Sequence, residues 1–296
     1  MTHVVMSYSR GFAWLRAVGP DGFTPALSAV ERVQCRPGVT CVVGDRVEVA
    51  GGNVAGVLPR RGTLSRAVGP QQQLLAAHVD RLVLVVAVGR SLREGFVMRG
   101  LVSATLQGLA PLVVVNKMDV DDGDAAAQVT AWQALGIPVQ PTSVVRGDGM
   151  DALRTALAAG TSALLGHSGV GKSTLINALR PGANRRTGGL DWQGKGRHVT
   201  TMAEAIPDGN SLLVDLPGVR ELGLWGATPE DILDAFPDVK AAITRCHFPD
   251  CSHDEGTAGC AVLEELDAGR LDPGRVELCL RMQQSVALGL EGGGRL

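Results

Sequence analysis

The chain has 296 residues, of which 45% are hydrophobic and 20% are charged. These fractions are those of a soluble globular protein that is long enough for two or three domains. The formal net charge of −2 excludes a polycation, although residues 1–66 carry eight arginines against four acidic residues and residues 180–201 carry five basic residues against one acid. Each segment is either a nucleic-acid-binding patch or a solvated arginine surface.

No segment of the sequence predicts a secreted or membrane protein. The first twelve residues, "MTHVVMSYSRGF", lack the pattern of a signal peptide, and the longest apolar run, residues 82–88, is too short to span a bilayer. We therefore expect a cytoplasmic protein. In a reducing compartment its six cysteines are not expected to form a disulfide framework. Three of them cluster with a histidine, which indicates a metal site.

Three regions follow one another along the chain. Residues 1–66 are predicted to form a small β-barrel, because short apolar runs alternate with Gly-Asp and Gly-Gly turns. Residues 67–235 are predicted to form an α/β domain with a largely parallel sheet, because strand runs such as "RLVLVVAV" alternate with helical patterns such as "MDALRTALAAG". Residues 236–296 are predicted to be a helical domain around the Cys/His cluster.

The first chemical motif in chain order is "PLVVVNKMD", residues 111–119. The Asp119 carboxylate can accept hydrogen bonds from guanine N1–H and N2–H₂, whereas adenine presents an acceptor at N1 and no amine at C2. Charge-assisted hydrogen bonds are worth about 1.5–3 kcal/mol each, so two of them would select GTP over ATP. Asn116 would tie this loop to its neighbours, and the Lys117 stem would pack over the base. The Ser143 backbone, in "PTSVV", is either a further guanine contact or an ordinary strand end.

A phosphate-binding loop follows at "GHSGVGKS", which fits the pattern G-x-x-x-x-G-K-[ST] between a predicted strand and a predicted helix. Its glycines let backbone N–H groups curl around the β-phosphate. Lys172 would supply a point charge to the β/γ-phosphates, and the Ser173 hydroxyl can ligate Mg²⁺. The predicted nucleotide-binding residues of this segment are Gly166, His167, Ser168, Gly169, Val170, Gly171, Lys172, Ser173 and Thr174.

A third motif, "SLLVDLPGVRE", covers residues 211–221. A predicted apolar strand ends at Asp215, which is placed to hold Mg²⁺, and the Gly218 N–H can reach the γ-phosphate. Many GTPases have a glutamine at the next position, where it orients the attacking water. Val219 stands there in this chain and cannot do so, and slow intrinsic hydrolysis is therefore expected.

The Cys/His cluster has the pattern C-x4-C-x-H-x6-C. Three thiolates and one imidazole would complete a closed tetrahedral zinc shell with no position for a catalytic water, so the site should be structural. Zinc binds small zinc peptides with about 10–16 kcal/mol, enough to fold a small domain with few aromatic residues. Coincidental core cysteines are the alternative, because the spacing is unusual for a zinc finger. The predicted ligands are Cys246, Cys251, His253 and Cys260. The cysteines expected to be ordinary buried thiols are Cys35, Cys41 and Cys279.

The guanine box precedes the phosphate loop here, which inverts the usual order. Termini of a compact domain often lie close together, so joining them and reopening the chain elsewhere preserves the sheet and pocket. This order resembles the circularly permuted GTPases of the ribosome small-subunit-dependent GTPase A family (RsgA, also YjeQ). The segments that carry the resemblance are "VGDRVEV", "VLPRRGTLSR", "GHSGVGKSTLIN", "GKGRHVTT", "DLPGVRELGL" and "CHFPDCSHDEGTAGC".

The resemblance implies an OB-fold RNA-binding barrel at residues 1–66, a permuted G domain at 67–235 and a zinc-binding helical domain at 236–296. The family usually has Gly-Arg-His-Thr-Thr-Thr in its first switch, where this chain has Gly-Arg-His-Val-Thr-Thr. Thr200 is our choice for the Mg²⁺-ligating hydroxyl, with Thr201 as the alternative. His198 would position the attacking water, or it contacts RNA or caps its loop. We expect Lys172, His198 and Thr200 to act in hydrolysis.

The resemblance further implies a GTPase that acts late in maturation of the small (30S) ribosomal subunit and is stimulated by that subunit. It would use GTP, Mg²⁺ and one structural zinc, and a monomer is the default expectation. The alternatives are a non-catalytic GTP-gated RNA-binding module and a phosphate-loop ATPase or kinase. Docking on ribosomal RNA is expected to rest on arginine–phosphate contacts, because the barrel has few aromatic residues for stacking. Those residues are Tyr8, Phe12, Trp14 and Phe23.

Overall fold

The computed structural model describes residues 2–19, 29–68, 71–89, 92–121, 123–181, 203–216, 222–224 and 226–290. Within these ranges the strands are β1 (Thr2–Ser9), β2 (Phe12–Ala17), β3 (Glu31–Cys35), β4 (Arg46–Ala50), β5 (Asn53–Val57), β6 (Leu64–Val68), β7 (Gln71–Ala76), β8 (Arg81–Ala87), β9 (Ala110–Asn116), β10 (Val139–Pro141), β11 (Gly160–Leu165), β12 (Glu204–Asp208) and β13 (Ser211–Asp215). The helices are α1 (Glu94–Leu106), α2 (Asp124–Ala134), α3 (Met150–Ala156), α4 (Lys172–Leu179), α5 (Pro229–Asp234), α6 (Pro237–Ile243), α7 (Ala261–Asp267) and α8 (Pro273–Ala287).

The first five strands form a closed barrel. Their order is β1-β2-β3-β5-β4, and β4 pairs back onto β1. Only β3 and β5 are parallel, and the other pairs in the barrel are antiparallel. Alternate side chains such as Val5, Leu15 and Val47 fill the interior. This is the five-stranded Greek-key arrangement of an OB-fold, and it confirms the predicted barrel.

The α/β part is built on a parallel sheet with the order β10-β9-β8-β11-β13, and β12 runs antiparallel to β13. Strand β8 is buried on both faces. Leu82 and Leu84 pack in the core that contains α1 and α2, whereas Val83 and Val85 pack in the core that contains α3 and α4. Burial on both faces explains why these strands are continuous apolar runs.

The barrel and the parallel sheet are continuous through one pair of strands. Ser7 of β1 pairs with Glu204 of β12, and the Ser7 hydroxyl donates to the Ala203 carbonyl over 2.9 Å. The barrel therefore lies beside the edge strand that follows the segment 182–202.

The connection between the two parts is a hairpin of β6 and β7. The backbone N–H and the hydroxyl of Ser65 donate to Gln107 Oε1 over 2.6 and 2.8 Å, which fixes the hairpin to the end of α1. On the barrel side, Arg60 forms a bidentate ion pair with the buried Asp45. The expected boundary at residue 66 lies inside β6.

The last four helices cover the α1 side of the sheet. Phe236 and Met282 are fully buried in the same core as Leu84 and Val97. Helix α5 lies before residue 236, yet it packs on α8, where Gln283 Nε2 donates to the Pro229 carbonyl. No helix in the described ranges is long and apolar enough to cross a membrane.

Candidate functional site

The phosphate loop joins β11 to α4, as the sequence predicted for its flanking elements. Gly169 and Gly171 have φ angles of +88° and +87°, which L-residues with a side chain rarely adopt. A Cβ on Gly171 would lie 2.6 Å from Asn116 Nδ2, and a Cβ on Gly166 would lie 2.6 Å from the Val85 carbonyl oxygen. The loop therefore needs glycine for both its conformation and its close contacts. The positive end of the α4 dipole faces it.

The guanine box contacts this loop directly. Asn116, buried at the end of β9, donates from Nδ2 to the Val170 carbonyl over 3.0 Å. Lys117 donates from Nζ to the Gly169 carbonyl over 2.6 Å. Both motifs follow the carboxyl ends of strands in one parallel sheet, where α/β proteins bind their ligands. The two motifs thus form one site in spite of their inverted chain order.

Ser143 and Asp119 are also brought together. The Ser143 hydroxyl donates to Asp119 Oδ1 over 2.7 Å, and this bond holds the pKa of Asp119 below its ordinary value. The Ser143 backbone N–H donates to the Asp148 carbonyl over 3.0 Å, and the guanine contact through the Ser143 backbone stays a prediction. Arg146, which no motif indicated, donates from its guanidinium to the Met118 carbonyl beside the box.

Lys172 connects the phosphate loop to β13. Its Nζ lies 2.5 Å from Asp215 Oδ1 and donates to the Leu216 carbonyl over 3.0 Å. Asp215 pairs with Leu164, the penultimate residue of β11, so its carboxylate lies at the loop. Ser173 is half-buried in the first turn of α4, and the structure thus places the lysine, the serine and the aspartate in one region.

The remaining loop residues differ in their surroundings. The His167 ring packs edge-on against Phe96 of α1, with ring centroids 4.8 Å apart. Phe96 was not predicted from the sequence, because nothing in its local pattern relates it to a loop seventy residues later. Ser168 and Thr174 are exposed. The site residues that lie outside the described ranges are Gly218, His198 and Thr200, together with the alternative Thr201 and with Val219.

The Cys/His cluster forms a second candidate site. The ligand atoms of Cys246, Cys251, His253 and Cys260 all lie within 4.8 Å of one another. His253 Nδ1 is 3.7 Å from Cys246 Sγ and 3.4 Å from Cys260 Sγ. Four ligands at zinc-bonding distance, about 2.0–2.3 Å, form a tetrahedron with edges of about 3.5–3.8 Å, so the cluster can hold a metal ion of this kind. Burial lowers the pKa of His253, which favours the neutral imidazole that ligates metals.

The strand order and the motif order together define a circularly permuted guanine-nucleotide-binding protein. Residues 57–225 match the RsgA GTPase family. A protein of Azotobacter vinelandii named "Small ribosomal subunit biogenesis GTPase RsgA" is 39% identical over 79% of this chain and 72% of its own length. Proteins of the same name from Opitutus terrae and Gemmatimonas aurantiaca are 42% and 36% identical, over 80% and 82% of this chain and 66% and 84% of their own lengths. The chain belongs to the RsgA GTPase family and is a GTPase.

Solved structures agree with this assignment. The crystal structure of YjeQ from Thermotoga maritima is similar over 97% of this chain and 98% of its own, with a TM-score of 0.66 and 27% identity. YloQ, described as a circularly permuted GTPase, is similar over 100% of this chain and 96% of its own, with a TM-score of 0.62 and 22% identity. The second likeness concerns the fold alone.

Proposed function

We propose that this protein hydrolyses GTP as a step in the biogenesis of the small ribosomal subunit. The observation that carries the proposal is the pair of hydrogen bonds from Asn116 and Lys117 to the phosphate loop, because it brings the predicted guanine box against the predicted triphosphate-binding loop. The relatives named above carry the role in subunit biogenesis in their names. Ribosomal RNA would be the partner, and the protein would act in the cytoplasm as a monomer.

In this proposal the phosphate-loop lysine changes partners. Lys172 would turn from Asp215 to the β- and γ-phosphates, and Asp215 would then be available to Mg²⁺ with Ser173 and Thr200. Bound Mg²⁺ would neutralise charge on the transferred phosphoryl group. Asp119 would accept from guanine N1–H and N2–H₂, and the Ser143 hydroxyl would hold that carboxylate in position.

In this proposal a residue of the first switch positions the attacking water. Val219 has no polar group to orient a water molecule, and His198 would take over this task when the subunit docks. The cluster around Cys246 would hold one structural zinc, because its four ligands fill a tetrahedral shell. That zinc would have a structural role only, and the chemical step would take place at the nucleotide site with the subunit bound.

The deciding experiment measures GTP hydrolysis with and without purified small ribosomal subunits. We expect slow turnover of the protein alone and a large increase with the subunits. His198→Ala should abolish the increase while the GTP affinity is unchanged, and Val199→Ala in the same segment serves as the matched control. If His198→Ala retains full stimulation, then His198 does not position the water.

The same assay separates the alternatives. A GTP-gated RNA-binding module that makes no use of hydrolysis would show the same slow intrinsic rate with and without subunits. A phosphate-loop ATPase or kinase would be inhibited by ADP as strongly as by GDP, whereas the proposed function requires competition by GDP alone.

A further inference from the structure

The outer face of the barrel carries an arginine packed on two aromatic rings. Arg32 Cζ lies 3.8 Å from the ring centroid of Phe12 and 5.8 Å from that of Trp14. Trp14 of β2 and Arg32 of β3 are register partners, and Phe12 lies two residues away on the same face of β2. Arg32 is exposed, and both aromatic residues are partly exposed.

The strand period explains why these rings point outwards. Ala13 and Leu15, which alternate with them along β2, are buried in the barrel core. Aromatic residues make up only 3% of the chain, so two of them together on an outer strand face are unusual for this composition. The sequence indicated only scattered aromatic residues here, because the pairing of β2 with β3 is needed to bring Arg32 to them.

The rim beside this face is cationic. Arg10, which is exposed, and Gly11 form the turn between β1 and β2. The Cys35 N–H at the end of β3 donates to the Gly11 carbonyl over 2.8 Å. Exposed Arg36 follows directly and donates from its guanidinium to the Ala50 carbonyl, which begins the turn between β4 and β5. The β1–β2 turn, the end of β3 and the β4–β5 turn therefore lie at one end of the barrel.

This combination fits an unpaired nucleotide better than a duplex. Bases stack on aromatic rings and on planar guanidinium groups, but bases inside a helix are already stacked and cannot reach them. OB-folds bind oligonucleotides with the face of their second and third strands and with the β1–β2 and β4–β5 loops. We propose that Phe12, Trp14 and Arg32 form a stacking platform for an unpaired RNA base. Arg10 and Arg36 hold the flanking phosphates.

The stacking platform deepens the proposed function and rests on it for the identity of the RNA as ribosomal. It also changes the expectation from sequence, in which arginine–phosphate contacts alone would carry docking. A stacked base contributes affinity that salt does not screen, whereas phosphate contacts weaken steeply as salt rises.

The test uses the full-length protein and a fluorescein-labelled single-stranded RNA of about ten nucleotides, within the site size of one OB-fold. Binding is followed by fluorescence anisotropy. Phe12→Leu keeps an apolar side chain but removes the ring, and it should weaken binding about fivefold to a hundredfold. Phe12→Tyr keeps the ring and should bind within about twofold of the unmodified protein. Arg32→Lys keeps the charge but loses the planar group, and it should bind more weakly.

The salt dependence separates stacking from charge. Arg10→Asn, which tolerates the left-handed backbone at this position (φ +48°), should reduce the slope of log affinity against log salt by about 0.7. Phe12→Leu should leave that slope unchanged. Arg281→Gln, on α8 and paired with Glu277, is the matched control and should change neither the affinity nor the slope.

The outcomes also distinguish the stacking platform from the proposed function. Stimulation of hydrolysis by small subunits is measured on the same protein samples. If subunits stimulate the protein but Phe12→Leu binds single-stranded RNA as tightly as the unmodified chain, the platform is wrong and the proposed function stands. If subunits have no effect but binding still depends on the Phe12 ring, the platform stands without that function. The stacking platform would also be wrong if a fully paired RNA competed for binding as well as the single strand does.

Discussion

In the proposed function, Asp119 is the residue that selects guanine, and its carboxylate accepts a hydrogen bond from the Ser143 hydroxyl. We expect Asp119→Asn to weaken GTP binding about a hundredfold or more, because two charge-assisted hydrogen bonds to guanine are lost or reversed. The asparagine amide can donate to the C2 carbonyl of xanthine, so affinity for xanthosine triphosphate should rise. Titration calorimetry with GTP and with xanthosine triphosphate measures the change in affinity for each nucleotide.

Ser143→Ala is a milder change at the same site, and its loss of GTP affinity can be compared with that of Asp119→Asn. The hydroxyl keeps the pKa of Asp119 low, and its removal should raise that pKa toward the ordinary value of about 4. The carboxylate stays ionised at neutral pH in both proteins, so the loss of affinity should be only severalfold and constant between about pH 6 and 8. A loss that grows as the pH falls through this range would contradict the assigned role of Ser143 as an orienting group.

Much of this residue-level arrangement was predictable. The box and the phosphate loop have fixed spacings, and so Asn116, Lys117 and Lys172 could be named in advance. The ion pair of Lys172 with Asp215 and the contact of His167 with Phe96 could not, because each depends on how separate strands and helices meet in space.

At the scale of elements, α1 is a helix that the sequence patterns did not indicate. Its segment contains Gly95, Gly100 and several β-branched residues, which are weak helix formers. The structure gives a reason for one of them, since a Cβ on Gly100 would lie 2.3 Å from a methyl carbon of Leu84. Close packing on β8 thus overrides local propensity, and a sequence pattern cannot report it.

Helix α1 is joined to the last helices by a buried arginine. Arg275 of α8 is 5% exposed, lies 2.5 Å from Glu94 Oε1 and 2.8 Å from Asp238 Oδ2, and packs over the Phe236 ring. Arg275→Met should lower the free energy of unfolding by about 3–5 kcal/mol, because it leaves two carboxylates without their cation. Urea denaturation followed by circular dichroism measures the change.

A compensating variant tests the stated cause of this loss. When Glu94→Gln and Asp238→Asn are added to Arg275→Met, much of the stability should return, because no uncompensated charge is left. Arg281→Gln on the same helix breaks only an exposed pair and should change stability by less than about 1 kcal/mol. If Arg275→Met and Arg281→Gln lowered the free energy of unfolding equally, the ion pairs of Arg275 with Glu94 and Asp238 would not be the cause of the loss.

For the whole molecule, we expect a metal ion held by the Cys/His cluster to determine whether the last helices fold. We expect metal analysis to find one zinc per chain. Removal of zinc by EDTA should unfold α6–α8, because zinc contributes about 10–16 kcal/mol in small zinc peptides. The loss of these helices would expose the α1 side of the core, which circular dichroism and binding of a hydrophobic dye would detect.

Two cysteine variants separate the ligand role from burial. Cys260→Ser should lower the zinc content and the melting temperature together. Cys279→Ala removes a thiol that is fully buried in the same core but lies outside the cluster, and it should retain the zinc. Full zinc content in Cys260→Ser would exclude this cysteine as a ligand.

The barrel, the permuted α/β sheet and the Cys/His cluster were visible in the sequence, because turn spacing, apolar runs and motif order are local signals. The continuity of β12 with β1 was not visible, since Ser7 and Glu204 are almost two hundred residues apart. Hairpin β6–β7 was missed for a related reason. Three consecutive glutamines in β7 give no apolar alternation, and its partner supplies the pairing.

The bond between Ser7 and the Ala203 carbonyl has a mechanical consequence. Ala203 comes three residues after Thr200, and three residues of extended chain reach at most about 11 Å. In the proposed function Thr200 would bind a metal-bound triphosphate, and a connection of this length would couple the position of Thr200 to that of β1. Exchange of one guanine nucleotide for another would then change the position of the barrel relative to the sheet. The same change would affect how the proposed stacking platform binds single-stranded RNA.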